Sequence, residues 1–498
     1  MHPRRTPKRP NHPWTRALFA AAGAALLAGS LTGCSTNPAT GKSQLSFYSE
    51  AQEVQLGQQA DQDLVQQYGV YDDPELARYV DELGQGLAAA SERPNLPWTF
   101  RVLDDPVVNA FALPGGYVYV TRGILSHMSS EAELAAVLGH EIGHVTARHG
   151  VNRMSKAQLA NIGLGIGSVL DPELARSVGN LAQSSLQLLF LQYSRDDERQ
   201  ADDLGFRYAN RLGYPPGAFV EVFEMLQATG PKGGGRLPNY LLTHPDPLER
   251  KQTAQARVRS SSPDAINRSW RRDPFFDRID GMTYGPDPED GYFRDGTFVH
   301  PGLRLRLDLP SGWTAHNQTQ ALVVMSPTED AIVQLTLAGG RSASDAARQF
   351  FNQQGLTVGN SWRDNDGIPL QEGRLFSAGE LRGAAAFAEY DNRIYRLMAI
   401  SKTNAWRRYE DDMEASLRSF DELRDRRLID VEPMRISLVR LDRDLSLEEF
   451  QRRYPSDIDL ETLAVINHVQ PGDILPAGTR AKRVRGFDPG PQTNVKIE

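Results

Sequence analysis

The spacing of hydrophobic and polar positions divides the chain into regions with different periods. Between residues 45 and 260, apolar residues recur every three to four positions in long stretches, which predicts amphipathic helices over 51–68 and 74–90. Two short alternating runs in the same region, 98–102 and 117–120, predict strands. We therefore expect this region to be a mainly helical α+β domain with a small sheet.

Beyond residue 260 the helical period stops. Residues 261–298 contain Ser-Ser-Ser-Pro and Gly-Pro-Asp-Pro without a sustained period, which predicts a linker. Strict alternation over 303–309 and further alternating runs predict a second small α+β domain over 299–425. Its segment 309–313 has a likeness to PsbP-type folds, but it indicates no chemistry, so the role of this domain is left open.

The last region, 433–485, is predicted as a strand, two short helices and a strand. This βααβ order resembles a LysM module, a small unit known for binding N-acetylglucosamine polymers. Asn467 and the run 475–478 lie where the LysM family has its asparagine and its Pro-Gly turn, whereas 442–445 depart from the family pattern. A packing domain and a peptidoglycan contact both stay open for this region. The fold class is thus α+β multidomain.

Composition and charge exclude several classes of protein. The 498 residues are 40% hydrophobic and 24% charged, as in ordinary globular proteins. The formal net charge is −8. Because a nucleic-acid partner requires a basic footprint, this balance argues against one.

The N-terminus has the pattern of a secretory signal. Residues 1–16 carry five basic residues and no acidic one, and 17–31 form an uncharged run that is shorter than a spanning helix. Leu31-Thr32-Gly33-Cys34 then resembles the lipobox of bacterial lipoproteins, in which the cysteine is lipidated. We therefore expect a lipoprotein signal peptide over 1–33.

Cys34 is the only cysteine of the chain, so a lipid anchor at this residue would explain it. Residues 34–44 are then a tether, and contact with the membrane is expected through the lipid alone. By the habit of the lipoprotein family, Ser35 after the cysteine implies the periplasmic face of the bacterial outer membrane.

The run His140-Glu141-Ile142-Gly143-His144 is the HExxH motif of zincins. Ser130 and Glu133 form a capping box in front of it, so the motif is expected on a helix. One helical turn separates His140 from His144, and both imidazoles can therefore reach one metal ion. Glu141 is placed to contact a water on that metal. The motif predicts one catalytic Zn²⁺ per chain.

Two ligands do not complete a catalytic zinc site, which needs three protein ligands and an open position. The metzincin subclass is excluded because Gly150 stands six residues after His144, and His149 lies off the ligand face and is expected to be structural. Another predicted helix carries Glu198 and Asp202 on one face, as a metal ligand and its supporting carboxylate require. A solvated acidic helix end is the alternative interpretation.

The motif together with Glu198-Arg199-Gln200-Ala201-Asp202 resembles the gluzincin metallopeptidases that group CAAX-prenyl proteases, HtpX and the BepA type. Further matches are the run 109–116, Thr243-His244-Pro245 and Arg250. The likeness covers about residues 45–260.

This resemblance implies that Glu198 is the third zinc ligand and that Asp202 supports a ligand histidine. It also implies a place for His244 at the zinc, where it either stabilises the oxyanion or fills the open position in a latent state. A surface histidine is the alternative interpretation of His244. The implied reaction is peptide-bond hydrolysis, with Glu141 taking a proton from the attacking water and returning it to the leaving amine.

Two further segments are candidates for handling substrate. Residues 116–120 are expected to form an edge strand on which an extended peptide adds, with Gly115, Gly116 and Tyr117 in contact with it. An ordinary hairpin is the alternative. The apolar, glycine-punctuated run 161–193 suits either a lid or a buried helix.

We therefore expect a zinc-dependent metalloendopeptidase of the bacterial periplasm that cleaves misfolded or misassembled envelope proteins. Its expected partners are polypeptides, among them outer-membrane proteins or their assembly machinery. Two alternatives stay open. One is a chaperone or assembly factor for outer-membrane proteins with a largely latent metal site, and the other is a cell-wall-binding lipoprotein.

Overall fold

The structure is a computed structural model. It describes the following residues: 34–168, 192–230, 239–245, 247–364, 368, 370–493 and 495–497. The predicted signal peptide over 1–33 and most of the predicted lid over 161–193 lie outside these residues. Within the described ranges, no helix is long and apolar enough to span a membrane.

The first structural unit is mainly helical, as the periodicity predicts. Its strands and helices, in chain order, are β1 (Cys34–Thr36), β2 (Ser43–Leu45), α1 (Glu50–Tyr68), α2 (Pro74–Ala89), β3 (Thr99–Leu103), β4 (Ala110–Leu113), β5 (Tyr117–Thr121), α3 (Arg122–His127), α4 (Glu131–Thr146), α5 (His149–Ser168), α6 (Arg195–Arg211), α7 (Ala218–Ala228), α8 (Asn239–Thr243), α9 (Pro247–Ser260), α10 (Pro263–Ile266) and α11 (Arg272–Ile279).

Side-chain caps fix where the two helices with site residues begin. The Ser130 side chain accepts a hydrogen bond from the backbone N–H of Glu133 at the start of α4. Ser194 and Asp197 form a reciprocal capping box at the start of α6. All sixteen residues of α4 are buried, so its position is set by packing on every side.

The small sheet has the strand order β3-β5-β4. β5 pairs in parallel with β3 and antiparallel with β4, so it is the central strand. The prediction of an edge strand over 116–120 is therefore wrong. An alternating sequence predicts that a strand forms, but it does not predict whether the strand is paired on one side or on both. The edge position next to α4 is occupied by β4.

α4 and α6 cross in backbone contact. A Cβ on Gly205 would lie 2.7 Å from the backbone N of His140 and 2.8 Å from the carbonyl carbon of Gly139. A Cβ on Gly143 would lie 2.9 Å from the carbonyl oxygen of Ala201. Only residues without a side chain permit this separation.

The predicted linker over 261–298 is a second correction. It contains α10 and α11, and Phe275, Phe276 and Ile279 of α11 are buried in the core of the first unit. The run lacks a long helical period because it consists of short elements, although it is folded onto the first unit.

The second unit is built on an eight-stranded sheet and a four-stranded sheet. Its strands and helices are β6 (Tyr292–Arg294), β7 (Thr297–His300), β8 (Leu305–Asp308), β9 (Thr314–Gln318), β10 (Ala321–Met325), β11 (Ala331–Leu337), α12 (Ala343–Phe351), β12 (Thr357–Asp364), β13 (Leu370–Ala378), β14 (Leu381–Tyr390), β15 (Arg393–Lys402), α13 (Trp406–Arg418), β16 (Asp421–Glu422) and α14 (Arg426–Ile429). Its α+β composition agrees with the sequence pattern.

The third unit, residues 433–485, is called the C-terminal module below. It contains β17 (Arg435–Arg440), β18 (Leu445–Ser446), α15 (Leu447–Arg453), α16 (Leu460–Ile466), β19 (Ile474–Leu475) and β20 (Arg480–Arg485). β17 pairs with β20 around the two helices, in the predicted βααβ order. The chain then returns to the eight-stranded sheet, where β21 (Val495–Lys496) pairs with β9.

The helix crossing generates a stability prediction. We expect Gly205→Ala to force α4 and α6 apart and to lower the free energy of unfolding by about 1–3 kcal/mol. The matched control is Gly472→Ala, where an added Cβ meets nothing within 4 Å, and its effect should stay within about 0.5 kcal/mol. Urea unfolding followed by tryptophan fluorescence measures both. Equal stability of the Gly205 variant and wild type would contradict the close crossing.

Candidate metal centre

The HExxH motif lies in the second half of α4 and directs both histidines to one point. His140 Nε2 and His144 Nε2 are 3.0 Å apart, and the two side chains are 2% and 1% exposed. Burial lowers the pKa of His144 well below its usual value, so its imidazole is neutral. A neutral imidazole has the free lone pair that a metal ligand needs.

Glu198 reaches the same point from α6 across the glycine crossing. Its Oε1 lies 3.4 Å from His144 Nε2, and the side chain is 1% exposed. Burial alone would raise the pKa of Glu198, but interactions with His244 and Arg250 hold it well below its usual range. The carboxylate is therefore ionised, as a ligand must be.

His244 follows α8 directly, and its ring is fully buried between Tyr240 and the motif histidines. Its Nδ1 lies 2.9 Å from Glu198 Oε1 and 3.3 Å from His140 Nε2. The sequence predicts His244 near the zinc, and the structure brings it directly to the ligand atoms.

The four side chains fit a zinc ion. Ligand atoms of His140, His144, Glu198 and His244 all lie within 4.8 Å of one another. A tetrahedron with metal–ligand bonds of about 2.0–2.1 Å has edges of roughly 3.3 Å, and the measured separations of 2.9–3.4 Å surround that value. Imidazole and carboxylate donors are also the ligand types that zinc prefers.

Asp202 and Arg250 form a support behind the ligands. Asp202 Oδ1 lies 2.9 Å from His140 Nδ1, so it can accept the N–H of that ring and fix its tautomer. Arg250 bridges the two carboxylates, with Nη1 2.7 Å from Glu198 Oε2 and Nη2 2.7 Å from Asp202 Oδ1. In the sequence, Arg250 is only a match to the family pattern, and nothing there predicts its role.

His149 is not among the ligands, in agreement with the structural role expected for it. Its Nδ1 lies 3.0 Å from His144 Nδ1, and its Nε2 lies 2.9 Å from Gln200 Oε1. It therefore holds the second ligand ring from behind. The sequence shows that His149 comes shortly after the motif helix. It does not show that His149 contacts Gln200, which lies on another helix.

Glu141 lies beside this cluster without contacting it as a ligand. Its side chain is 0% exposed, and neither carboxylate oxygen has a hydrogen-bond partner among the described residues. Burial raises the pKa of Glu141, and His244 and His140 oppose that shift. A buried carboxylate without a hydrogen-bond partner at this place suits a group that exchanges a proton.

Two contacts of Tyr193 close the centre. The Tyr193 ring stacks on His144 at 3.8 Å between centroids, and the Tyr193 N–H donates to the Thr243 carbonyl at 3.0 Å. The segment that leads into α6 is thus joined to the residue before His244. Because every ligand side chain is at most 2% exposed, the described conformation is closed.

The residues predicted to contact substrate are engaged in packing. A Cβ on Gly115 would lie 2.6 Å from Val54 Cα, and one on Gly116 would lie 3.4 Å from Trp98 Cα. Both glycines are buried and have positive φ angles of 83° and 104°. Tyr117 lies at the start of the central strand β5. Its ring contacts α1 at Gly57, where the absence of a Cβ allows the close approach.

A small cleft with a cavity volume of about 10 Å³ lies instead between β4 and the junction of α4 with α5. Its walls are mostly apolar, and the ligand His144 forms part of them. The lining residues are Glu53, Ala112, Leu113, Pro114, His144, Val145, Arg148, Gly150, Val151 and Tyr193.

Comparison with known proteins agrees with this geometry. The profile of Peptidase family M48 matches residues 74–258. A putative beta-barrel assembly-enhancing protease of Vibrio cholerae is 34% identical over 201 residues, which are 39% of this chain and 41% of that protein. The mitochondrial metalloendopeptidase OMA1 of Arabidopsis thaliana is 38% identical over 173 residues, which are 34% of each chain.

The beta-barrel assembly-enhancing protease of Escherichia coli is 30% identical over 244 residues, 47% of this chain and 49% of that protein. The chain thus spans about half the length, or less, of these relatives. Among solved structures, cyanobacterial PsbP from Synechocystis covers 25% of this chain and 91% of its own, with 12% identity and a TM-score of 0.21. A TM-score that low carries no argument about the second unit.

The support behind the ligands generates a metal-affinity prediction. We expect Arg250→Met to weaken zinc binding by about 10–100-fold, since it leaves Glu198 and Asp202 without their shared cation. The matched control is Arg257→Met on the same helix, where the guanidinium contacts only Asp203 among the carboxylates. Competition with a chromogenic chelator measures both. Equal affinity of the Arg250 variant and wild type would show that the bridge does not hold the ligands.

The ligand geometry and the family profile converge on the same residues. His140, His144, Glu198 and His244 all fall within the matched range, and their donor atoms lie within 4.8 Å of one another. Residues 74–258 therefore match Peptidase family M48 over the stretch of this chain that holds all four candidate zinc ligands.

Proposed function

We propose that the chain is a zinc-dependent metalloendopeptidase. The observation that carries this proposal is the placement of Glu141, buried and without a hydrogen-bond partner among the described residues, beside the clustered donor atoms of His140, His144 and Glu198. When zinc is bound there, it polarises a peptide carbonyl and lowers the pKa of water. These are the two requirements of peptide-bond hydrolysis that protein side chains alone meet poorly.

Glu141 moves the proton in this proposal. Its raised pKa brings the carboxyl closer to neutrality, so it can accept a proton from the attacking water and release it to the leaving amine. The two transfers leave the carboxylate unchanged after each turnover. Arg250 and Asp202 keep the ligand side chains in place while this happens.

His244 is proposed as a latch. In the described conformation its Nδ1 lies 2.9 Å from Glu198 Oε1, where it would hold the zinc together with the other three donors, and its Nε2 lies 3.6 Å from Glu141 Oε1. A catalytic zinc must keep one position open, so His244 has to withdraw before a substrate can bind. Tyr193 moves with it, because the backbone of Tyr193 is hydrogen-bonded to Thr243.

The substrate site is proposed along β4 rather than β5. Among the described strands, none pairs with the second edge of β4, and the cleft beside His144 borders this strand. An extended peptide could add to this edge beside the mostly apolar cleft, which would have to widen before it could take a side chain. Unfolded polypeptides, which expose extended apolar segments, are the class of substrate that fits.

The cellular setting is also part of the proposal. The lipobox-like run ending at Cys34 supports a lipid anchor at the periplasmic face of the outer membrane, and two relatives are named beta-barrel assembly-enhancing proteases. We therefore propose misfolded or misassembled envelope proteins as substrates, outer-membrane proteins among them. Peptidoglycan contact through 433–485 stays a prediction.

A chaperone or assembly role with a latent metal site is the second candidate. The closed conformation favours it, because the ligand side chains are at most 2% exposed. Such a protein would bind unfolded outer-membrane proteins without turnover.

The base is tested with Glu141→Gln in a chain that begins at residue 35 and lacks the lipid. We expect zinc content to stay at the wild-type value, since Glu141 is not a ligand, while casein cleavage falls by at least about 100-fold. Cleavage that survives this change would exclude Glu141 as the base. If both proteins are inert and both suppress aggregation of an unfolded outer-membrane protein, the chaperone role is supported instead.

The latch is tested with His244→Ala. If His244 closes the site about nine-tenths of the time, its removal should raise casein kcat/KM by about tenfold. A decrease would instead assign His244 to stabilising the oxyanion. The double variant Glu141→Gln/His244→Ala is the control, and it should be inactive in either case.

A further inference from the structure

The C-terminal module contacts the turn that leads into the active-site helix. Lys482, on β20, is fully buried, and its Nζ donates to the carbonyls of Ser126 at 3.0 Å and Met128 at 2.8 Å. Burial lowers the pKa of Lys482 to about 7, an effect that Glu133 opposes. Both hydrogen bonds persist in the neutral amine, because it retains N–H donors.

His468 enters the same region from the loop after α16. It has a left-handed backbone with φ of 55°, a conformation that a residue with a side chain adopts only when its surroundings hold it there. Its Nε2 lies 2.6 Å from the His127 carbonyl and 3.7 Å from Glu133 Oε2, and its Nδ1 lies 3.4 Å from Glu221 Oε2.

Glu133 lies next to these contacts, at the start of the active-site helix. Its carboxylate is 0% exposed and accepts hydrogen bonds from the Ser130 hydroxyl at 2.7 Å and from the Ser129 N–H at 3.0 Å. It thereby closes the first turn of α4, seven residues before the first zinc ligand. The module brings the His468 ring to 3.7 Å from this carboxylate and the Lys482 amine to the turn in front of it.

Other contacts show that the module is docked over a broad face. Ile436 exchanges backbone hydrogen bonds with Gly281 and Met282 at 2.8 and 2.9 Å, and its side chain is part of the core of the first unit. Arg480 Nη1 lies 2.6 Å from Asp277 of α11. The loop and strand that carry His468 and Lys482 are thus fixed against the first unit.

We propose that the C-terminal module is a positioning element of the peptidase, and that Lys482 and His468 are positioning residues for the active-site helix. They act through Glu133 and the α3–α4 turn, which set where α4 begins and therefore where His140, Glu141 and His144 lie. Although the family profile ends at residue 258, the unit that hydrolyses peptides then extends to residue 485. This inference rests on the proposed peptidase function for its kinetic readout only.

The test compares Lys482→Met with Lys402→Met, a lysine on the exposed part of β15, in the chain that begins at residue 35. We expect Lys482→Met to lower casein kcat by about tenfold with KM unchanged, because a small displacement of the reacting groups slows chemistry more than binding. Amide hydrogen exchange in residues 131–146 and zinc release to a chelator should each become about tenfold faster. Exchange in β14 and β15 should stay at the wild-type rate. Lys402→Met should match wild type throughout.

His468→Gln is the second variant, chosen because the ring lies near the rim of the interface with its side chain 11% exposed. It should change the same readouts in the same direction, and it decides the matter if Lys482→Met does not fold. Wild-type exchange in 131–146 and wild-type zinc release in a folded variant would overturn the proposal. If wild type cleaves no casein, the peptidase function fails, whereas exchange and zinc release still test the positioning role.

Discussion

The backbone contact between α4 and α6 is the constraint on which the metal centre depends. The candidate zinc donors come from α4, from α6 and from His244 after α8, which are far apart in sequence. The short Glu198 side chain reaches the motif histidines only because Gly139, Gly143 and Gly205 leave no side chain between α4 and α6. The burial of α4 on all sides follows from this position. Capping of both helices then fixes their register along the crossing.

The balance of charges explains why three carboxylates can be buried close together. Glu141, Glu198 and Asp202 are all carboxylates in a water-poor site, and Arg250 is the guanidinium that contacts two of them. A bound Zn²⁺ supplies the remaining positive charge, so metal binding and the stability of the closed centre are linked. His244 also shields these charges from water. Closure of the site therefore affects its electrostatics as well as the access of substrate.

The sequence predicts the parts of the site that depend on local spacing. The helix carrying His140 and His144, its cap, and the face shared by Glu198 and Asp202 all follow from periods of three to four residues. Contacts across the fold do not follow from such spacing, so the sequence predicts neither the role of Arg250 nor that of Lys482. Alternation indicates burial and not pairing, which is why it cannot distinguish the central strand β5 from an edge strand. The helices within 261–298 are too short to show a helical period, so the sequence pattern there resembles that of a linker.

X-ray absorption at the zinc edge tests the central claim most directly, since it reports the number and type of ligand atoms. For the zinc-loaded wild type, the closed four-ligand centre predicts three imidazole nitrogens and one carboxylate oxygen at about 2.0–2.2 Å. His244→Ala should lose one imidazole and keep the rest. A wild-type spectrum with two imidazoles, unchanged in the variant, would contradict the closed centre.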